Sequence, residues 1–296
     1  MSVEPVVETI SCPYCGSGNH QRWAEERGFV AVRCKTCALI YCNPRPSLAA
    51  IDSAVHTGVH GVEARRLDVR ARRIGAKVKD YRRAFRSLFD DVWRRGYPIS
   101  WLDVGAGYGE VLEAVRALAP AGSRVEGLEP MKPKAEVARE RGFTITEGYL
   151  RPEHPKVDII SVVDVFSHIP SFRSFLADVR SVLVPGGEIF VETGNLADLD
   201  RRDEFPGELG LPDHLVFAGE THLLGYLTQA GFEVRRIERR RIDGLVNLAK
   251  NIVKHRIRRP TVVRLPYTSR YRQLQVRARL RTQGPETSVS ERTQLP

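Results

Sequence analysis

The segment 101-WLDVGAGYGEVLEA-114 contains the features that decide the fold of this chain. It begins as a short apolar run, passes through three alternating glycines and continues with a helical pattern. Glycines let the backbone approach a ligand closely, and the start of the following helix offers free N–H groups. The dinucleotide fingerprint is G-x-G-x-x-G, and here the third glycine comes one residue earlier. The spacing therefore favours a ligand other than a dinucleotide.

Strand-like and helix-like segments alternate through the middle of the chain. The predicted strands are 101–104, 124–129, 143–146, 157–163, 188–193 and 232–238. The predicted helices are 109–119, 131–141, 171–183 and 220–230, and residues 147–156 leave room for only a short helix or none. Such alternation is typical of a parallel sheet with helices on both faces. We therefore expect an α/β fold with a doubly wound, mostly parallel, Rossmann-like sheet.

Acidic residues stand at the ends of three predicted strands, at Asp103, Glu129 and Asp164. In parallel sheets, ligands bind at the carboxyl ends of the strands, near the point where the strand order reverses. Glu129 is placed to accept both hydroxyls of a ribose, although a surface carboxylate in a loop would give the same pattern. Asp103 and Asp164 would flank the crevice and would suit a ligand with a cationic amino group.

The order of these motifs resembles that of class I S-adenosylmethionine-dependent methyltransferases. The segments that carry the resemblance are WLDVGAGYGEVLEA, VEGLEP, VDIISVVDVFSHIP, SVLVPGGEIFVETGN and DHLVFAGETHLLGYLTQAGFEV, within about residues 99–240. The chain is similar to the branch that methylates small molecules and glycans. The resemblance implies a mostly parallel sheet of seven strands and S-adenosylmethionine as the cofactor.

The resemblance also assigns residues to each part of the cofactor. The methionine part is expected at Asp103, Gly105 and Gly107, and the ribose at Glu129. The adenine is expected to pack on Pro130 or Met131, in a pocket closed by Tyr149 and Leu150. Asp164 and Val165 are expected to line the cofactor beside its methyl group.

Two histidines are candidate catalytic residues. A hydroxyl acceptor must lose a proton during methyl transfer, so a nearby base helps. His168 follows the fourth strand and His214 precedes the helix at 220, and both match histidines that are common in the resembling family. His168 has the alternative role of a structural contact to the cofactor or backbone. Glu192 and Asn195 either orient an acceptor or satisfy loop amides.

Four of the five cysteines form two close pairs, Cys12–Cys15 and Cys34–Cys37. The spacing C-x2-C-x18-C-x2-C is typical of four thiolates that bind a structural zinc ion in a tetrahedron. Such a small module needs its metal in order to fold. The segment RCKTCALIYCNPRP resembles the zinc ribbon that precedes the methyltransferase domain in several sugar and natural-product enzymes, where it helps to cover the substrate cleft. Cys42 is left over and is either buried or a spare thiol.

We expect four regions along the chain. These are a zinc-ribbon module at 1–43, a linker with a basic helical region at 44–98, a methyltransferase domain at 99–245 and a basic C-terminal extension at 246–296. Apolar residues at spacings of three and four predict one long helix or two over 62–95. The segment GLVNLAKNIVKHRIRR after Arg240 fits a basic amphipathic helix, and the polar end of the chain is expected to be disordered.

The formal net charge of +10 is concentrated in two stretches, 64–95 and 232–282, and the second has sixteen Lys and Arg against three acids. These stretches favour an anionic partner, either an acceptor linked to a phosphate, nucleotide or carrier, or a nucleic acid. Solvated helix faces would give the same composition. No apolar run is long enough to span a membrane, and the first residues lack the regions of a signal peptide. We therefore expect a cytoplasmic protein.

Three functions compete at this stage. The first is methylation of a small molecule or glycan, most readily at oxygen, in sugar or natural-product biosynthesis. The alternative is an RNA methyltransferase that uses the basic flanks and the zinc ribbon, although the flanks contain few interleaved aromatic residues for base stacking. The third is a binding protein that kept the fold without activity, and the intact cofactor motif argues against it.

Overall fold

The computed structural model describes residues 7–60, 67–68, 74–205, 207–241, 252 and 269–282. The strands in this part of the chain are β1 (Val7–Glu8), β2 (His20–Glu26), β3 (Phe29–Cys34), β4 (Ile40–Cys42), β5 (Arg45–Pro46), β6 (Val59–His60), β7 (Leu67–Asp68), β8 (Ser100–Val104), β9 (Arg124–Glu129), β10 (Thr144–Glu147), β11 (Val157–Val163), β12 (Leu183–Gly194), β13 (Val216–Phe217), β14 (Phe232–Arg240) and β15 (Gln273–Leu280). The helices are α1 (Leu48–Thr57), α2 (Val78–Leu88), α3 (Asp90–Arg95), α4 (Glu110–Arg116), α5 (Lys132–Glu140), α6 (Phe172–Val182) and α7 (Glu220–Gln229).

Seven strands form the central sheet in the order β10-β9-β8-β11-β12-β15-β14. The pairs on the β10 side of the sheet are parallel, and β15 is antiparallel to both of its neighbours. The strand order reverses between β8 and β11, which places the carboxyl ends of these two strands beside a crevice. The predicted α/β, Rossmann-like fold with a mostly parallel seven-stranded sheet is confirmed.

Strand β15 is the member of the sheet that the sequence analysis did not predict. It lies in the region that we expected to be a C-terminal extension, and it inserts between β12 and β14. Its sequence QLQVRARL alternates polar and apolar residues, which is the usual pattern of a strand. The many arginines of the region are more typical of a solvated extension than of an interior strand.

Helices cover both faces of the sheet. On one face, α6 and α7 pack against β11, β12 and β15 through residues such as Leu176, Val179 and Leu223. On the other face, α2 and α4 surround Trp101 and Phe190. No helix occurs between β10 and β11, which confirms that the intervening helix is absent. Strand β11 is apolar almost throughout because it is buried on both faces.

The helical prediction for 62–95 is correct only in its second half. The predicted apolar stripe is buried in α2 and α3, with Phe85, Leu88 and Phe89 fully enclosed. Upstream, β7 pairs with β6, so a helix through residues 67–68 is wrong. The physical reason is that the arginine-rich segment before Val78 has no apolar stripe to bury. Residues 61–66 and 69–73 lie outside the described residues, as do most of the predicted amphipathic helix after Arg240 and the C-terminal tail.

The cysteine-bearing segment forms a second sheet, with the order β13-β4-β3-β2. Strand β13 comes from more than 170 residues later in the chain than β4. Val216 of β13 is opposite Tyr41 of β4. Phe29, Ile40 and Cys42 share one apolar cluster with Leu199 and Phe217. The N-terminal segment is therefore built into the side of the larger domain.

None of the helices in the described part of the chain combines the length and the apolarity needed to cross a bilayer.

A buried ion-pair network attaches β15 to its surroundings. The guanidinium of Arg277 donates hydrogen bonds to Glu188 on β12, to Asp91 on α3 and to the carbonyl of Leu88. Arg277 also lies over the ring of Phe89, with 4.5 Å between the guanidinium carbon and the ring centroid. Arg279 contacts the other oxygen of Glu188 from a more exposed position. The network lets a strand rich in arginine occupy an interior place in the sheet.

We expect Arg277→Met to lower the free energy of unfolding by about 3 kcal/mol, because the buried Glu188 carboxylate loses its inner partner and retains only the more exposed Arg279. Arg279→Met is the matched control, and it should cost less because Glu188 keeps Arg277. Urea denaturation of both variants measures the difference. A smaller loss in the Arg277 variant than in the Arg279 variant would show that the network does not hold β15.

Candidate functional site

The glycine turn after β8 is held tightly against the neighbouring strands. The N–H groups of Gly105 and Ala106 both donate to the carbonyl of Leu128 on β9, at 2.8 and 2.9 Å. Gly105 has a φ of 76°, and a Cβ atom at this position would lie 2.3 Å from a methyl carbon of Val165. The close approach of the turn to the end of β11 therefore requires glycine.

Glu129 connects the turn to the loop that follows β9. Its Oε2 accepts a hydrogen bond from the Gly107 N–H at 2.7 Å, and its Oε1 accepts one from the Met131 N–H at 2.8 Å. The side chain is 5% exposed. Each carboxylate oxygen has a second lone pair, so the residue retains the capacity to accept bonds from a ribose. The ribose role itself stays a prediction.

A cavity of about 530 Å³ opens beside this turn. Nine of the twelve predicted cofactor and catalytic residues line it, namely Gly105, Gly107, Glu129, Pro130, Met131, Asp164, Val165, His168 and His214. The other three lie elsewhere. Tyr149 is 42% exposed and packs edge-on against His56, while Leu150 is buried in the core.

Asp103 lies beneath the turn rather than on the cavity wall. It is 1% exposed, and its Oδ1 accepts a hydrogen bond from the Ser161 hydroxyl at 2.5 Å. Burial raises the pKa of Asp103 to about 7, and the charge of Glu129 acts in the same direction. A direct contact between Asp103 and the methionine part of a cofactor stays a prediction.

Asp164 forms an ion pair that the sequence analysis missed. Its Oδ2 lies 2.6 Å from the Nζ of Lys77, which immediately precedes α2. Burial acts to lower the pKa of Lys77, but the Asp164 carboxylate outweighs it and the pKa is raised. Asp164 adopts a left-handed backbone with a φ of 56°, a conformation that costs energy outside glycine and is common at functional sites.

The cavity lining also contains three imidazoles around one carboxylate, which we call the histidine cluster (His60, His168, Asp213 and His214). The Oδ1 of Asp213 lies 3.0 Å from His168 Nδ1 and 3.1 Å from His60 Nε2. The rings of His168 and His214 meet edge to face, with centroids 4.7 Å apart. The predicted pair of histidines is therefore brought together in the cavity, and their catalytic roles stay predictions.

The pKa values of the residues in the histidine cluster are shifted in different directions. Burial acts to raise the pKa of Asp213, but the hydrogen bond and charge of His168 hold it at about 2. Burial acts to lower the pKa of His168, but the bonds to Asp213 outweigh it and the pKa is raised. Burial and the charge of His168 lower the pKa of His214 to about 4. His214 is therefore neutral near pH 7, and burial also lowers the pKa of His60.

Sequence reasoning missed His60, Asp213 and Tyr271. Asp213 directly precedes His214 in LPDHLVF, so its place beside a candidate catalytic residue could have indicated a role in the site. His60 gave no local signal because it comes from β6, in the segment that was expected to be a linker. Tyr271 lines the cavity with its hydroxyl over Gly194, where a Cβ atom would lie 2.0 Å away.

Glu192 and Asn195, whose roles were left open, bind neighbouring parts of the chain. Both oxygens of Glu192 accept hydrogen bonds from the side-chain amides of Gln273 and Gln275. Asn195 Oδ1 accepts a hydrogen bond from the Arg272 N–H at 2.6 Å. These contacts attach the start of β15 to the end of β12, so both residues satisfy local polar groups.

The four paired cysteines converge on one point. The Sγ atoms of Cys12 and Cys37 are 3.5 Å apart, and those of Cys15 and Cys34 are 3.6 Å apart. All four sulfurs lie within 4.8 Å of one another, and all four thiols are free. A tetrahedral zinc ion with Zn–S bonds of about 2.3 Å would separate its sulfurs by about 3.8 Å. The thiols therefore fit such an ion, while Cys42 is buried in the apolar cluster beside them.

The sheet order, the glycine turn and the acid at the end of β9 together define a class I methyltransferase. In agreement, a model of the methyltransferase domain matches residues 77–237, which is more than half of the chain. The chain belongs to this family, the S-adenosylmethionine-dependent methyltransferases.

Several known proteins are similar to parts of this chain. The C-methyltransferase NovU of Streptomyces niveus is 31% identical over 112 residues, which cover 35% of this chain and 26% of that protein. The ubiquinone biosynthesis O-methyltransferase of Proteus mirabilis is 30% identical over 104 residues, which cover 32% of this chain and 41% of that protein. The matches thus span less than half of the length of these relatives.

A solved structure shows the same fold. A putative sarcosine dimethylglycine methyltransferase from Galdieria sulphuraria superposes with a TM-score of 0.51 and 15% identity. The superposition covers 70% of this chain and 87% of that one.

We expect Glu129→Ala to weaken the binding of S-adenosylhomocysteine by about 1–3 kcal/mol, because the Gly107 and Met131 amides lose their acceptor along with any ribose contact. Isothermal titration calorimetry measures this change. Glu126→Ala on the same strand is the matched control, since Glu126 pairs with the surface residue Arg124. Equal affinity of the Glu129 variant and the unmodified chain would contradict the assignment.

Proposed function

We propose that this chain transfers the methyl group of S-adenosylmethionine to a small-molecule or glycan acceptor. The observation that carries this proposal is a single cavity with two chemically different ends. One end has the glycine turn, Glu129 and Asp164, which suit a nucleoside with a charged amino-acid arm. The other end has the histidine cluster, which suits an acceptor that must give up a proton.

The cofactor's sulfonium supplies an activated methyl group to this cavity. On this chain, Gly105 and Gly107 let the backbone approach the methionine part, and Glu129 accepts bonds from the ribose. Pro130 and Met131 would border the adenine, and Asp164 and Val165 would lie beside the methyl group, in keeping with their places in the cavity lining. Alignment of the two substrates in one enclosed space supplies much of the rate enhancement in such a displacement.

We assign the acceptor atom as oxygen, in sugar or natural-product biosynthesis. The acceptor oxygen forms a bond to the methyl carbon as the carbon–sulfur bond breaks, and the electron pair of that bond remains on sulfur. The hydroxyl proton passes to the histidine cluster, where His168 and His214 are the candidate bases. One relative is named as an O-methyltransferase of ubiquinone biosynthesis, which supports both oxygen and a small-molecule acceptor.

The test of this proposal has a binding step and a transfer step. S-Adenosylhomocysteine should bind with a stoichiometry of one, measured by calorimetry. Methyl-labelled S-adenosylmethionine should then transfer label to small hydroxylated acceptors such as sugar nucleotides and phenols, but not to RNA. Label in RNA, together with binding that weakens steeply with salt, would favour the RNA alternative instead. Failure to bind S-adenosylhomocysteine would overturn the proposal in favour of a non-catalytic protein.

We also propose that Cys12, Cys15, Cys34 and Cys37 hold a structural zinc ion. The convergence of the four sulfurs supports this, and four thiolates leave no open position for chemistry. A reducing compartment such as the cytoplasm keeps thiols available for the metal, in keeping with our expectation for the location.

Removal of one thiolate should release the zinc. After a weak chelator has removed ions held outside the cysteines, we expect Cys34→Ala to lower the zinc content from one ion per chain to less than half, with loss of cooperative unfolding in the N-terminal sheet. Cys42→Ala is the matched control, because Cys42 is also buried but lies outside the group of four, and it should keep the metal. Metal analysis after gel filtration measures both. Zinc retained in full by the Cys34 variant would rule out this site.

A further inference from the structure

The histidine cluster has the composition and geometry of a second metal site, distinct from the cysteines. The ligand-type atoms of His168, Asp213 and His214 all lie within 4.8 Å of one another. All three residues line the cavity. We propose that His168, Asp213 and His214 bind a divalent transition-metal ion at the acceptor end of the cavity.

The distances within the cluster suit a shared ion. Neighbouring ligands of an ion with bonds of about 2.1 Å lie about 3.0 Å apart at octahedral angles and about 3.4 Å apart at tetrahedral angles. His168 Nδ1 and Asp213 Oδ1 are 3.0 Å apart. The ion would take the place of the proton that these two groups share, and the His214 ring would turn its free nitrogen to the same point.

The ligand set selects the class of metal. Two imidazoles with one carboxylate suit zinc, iron, cobalt, nickel or manganese, whereas magnesium and calcium prefer oxygen ligands alone. The set contains no thiolate, so an ion here differs spectroscopically from one in the cysteine site. The ligands themselves therefore identify which site a metal occupies.

The surroundings hold the ligands in place. His60 is 5% exposed, and its Nε2 contacts Asp213 Oδ1 at 3.1 Å, which fixes the carboxylate from a second direction. Such outer contacts orient metal ligands and are a regular part of metal sites. The Leu215 N–H donates to the Ser167 carbonyl at 2.7 Å and joins the two segments that carry the ligands. The site is thus braced before any ion binds.

Three protein ligands leave coordination positions free for an acceptor. Because all three residues line the cavity, these positions face the space that the acceptor would occupy. Acceptors with two adjacent oxygens, such as a vicinal diol or a hydroxyketone, would chelate the ion. When the ion is bound, His168 and His214 act as ligands in place of their role as bases. Coordination then lowers the pKa of the acceptor hydroxyl, so its proton can leave to solvent before the oxygen–methyl bond forms. This use of the ion rests on the proposed function, whereas the site itself does not.

A cobalt titration of the full chain tests the site. The chain is first treated with a weak chelator that leaves the cysteine site filled, and Co²⁺ is then added. We expect one equivalent of Co²⁺ to bind with the visible absorption of nitrogen and oxygen ligands and without sulfur-to-cobalt charge transfer. His214→Ala and Asp213→Asn should each weaken this binding at least tenfold. His154→Ala should leave it unchanged, because His154 lies outside the histidine cluster and its Nδ1 contacts the backbone of Arg151.

Two outcomes would overturn the inference. One is a chain that binds no Co²⁺ with this absorption at a saturating concentration. The other is a variant pair that binds Co²⁺ as tightly as the unmodified chain. Thermal unfolding and S-adenosylhomocysteine binding, measured on the same samples, show that the variants are folded. A chain that binds Co²⁺ at the cluster but does not bind S-adenosylhomocysteine would disprove the proposed function and leave the metal site standing.

Discussion

The carboxylate of Glu129 ties together the two loops that form the cofactor end of the cavity. One oxygen accepts from the glycine turn after β8, and the other accepts from the loop after β9. The carbonyl of Leu128 adds two bonds to the same turn. Because the loops are ordered before a ligand arrives, less conformational entropy is lost on binding. Both the position of the turn and the shape of the cavity depend on this arrangement.

The wall beside the histidine cluster depends on a different constraint, which is the pairing of β13 with β4 in the four-stranded sheet. Val216 and Phe217 pair with β4 in the cysteine-bearing sheet, and both line the cavity. The ring of His222 on α7 contacts the carbonyl of Cys37, and Tyr14 packs edge-on against His222. The cysteine segment thus supports, from behind, the part of the cavity wall that Val216 and Phe217 form.

Buried polar and charged groups on β15 and in the histidine cluster are compensated by partners from neighbouring elements. Arg277 and Gln275 are buried on β15, and their partners Glu188 and Glu192 come from the adjacent strand. In the histidine cluster, one carboxylate satisfies two imidazoles. Buried polar groups without partners cost several kcal/mol, so networks of this kind persist only when most of their members are paired. The pairing explains how a chain with many arginines builds a close-packed sheet.

Much of the fold and part of the site could be predicted from the sequence alone. The strand and helix periods predict the class of sheet, and the glycine turn with its spacing to the next strand predicts the position of Glu129. The cysteine spacing predicts that the four thiols converge. All of these are local patterns. The tertiary structure decided the rest. Strand β15 is separated from β14 by a long segment, and its partners Glu188 and Asp91 come from distant elements. His60, Asp213 and Lys77 become site residues only through contacts across the fold. Such contacts depend on how elements pack, which the spacing of residues along the chain does not specify.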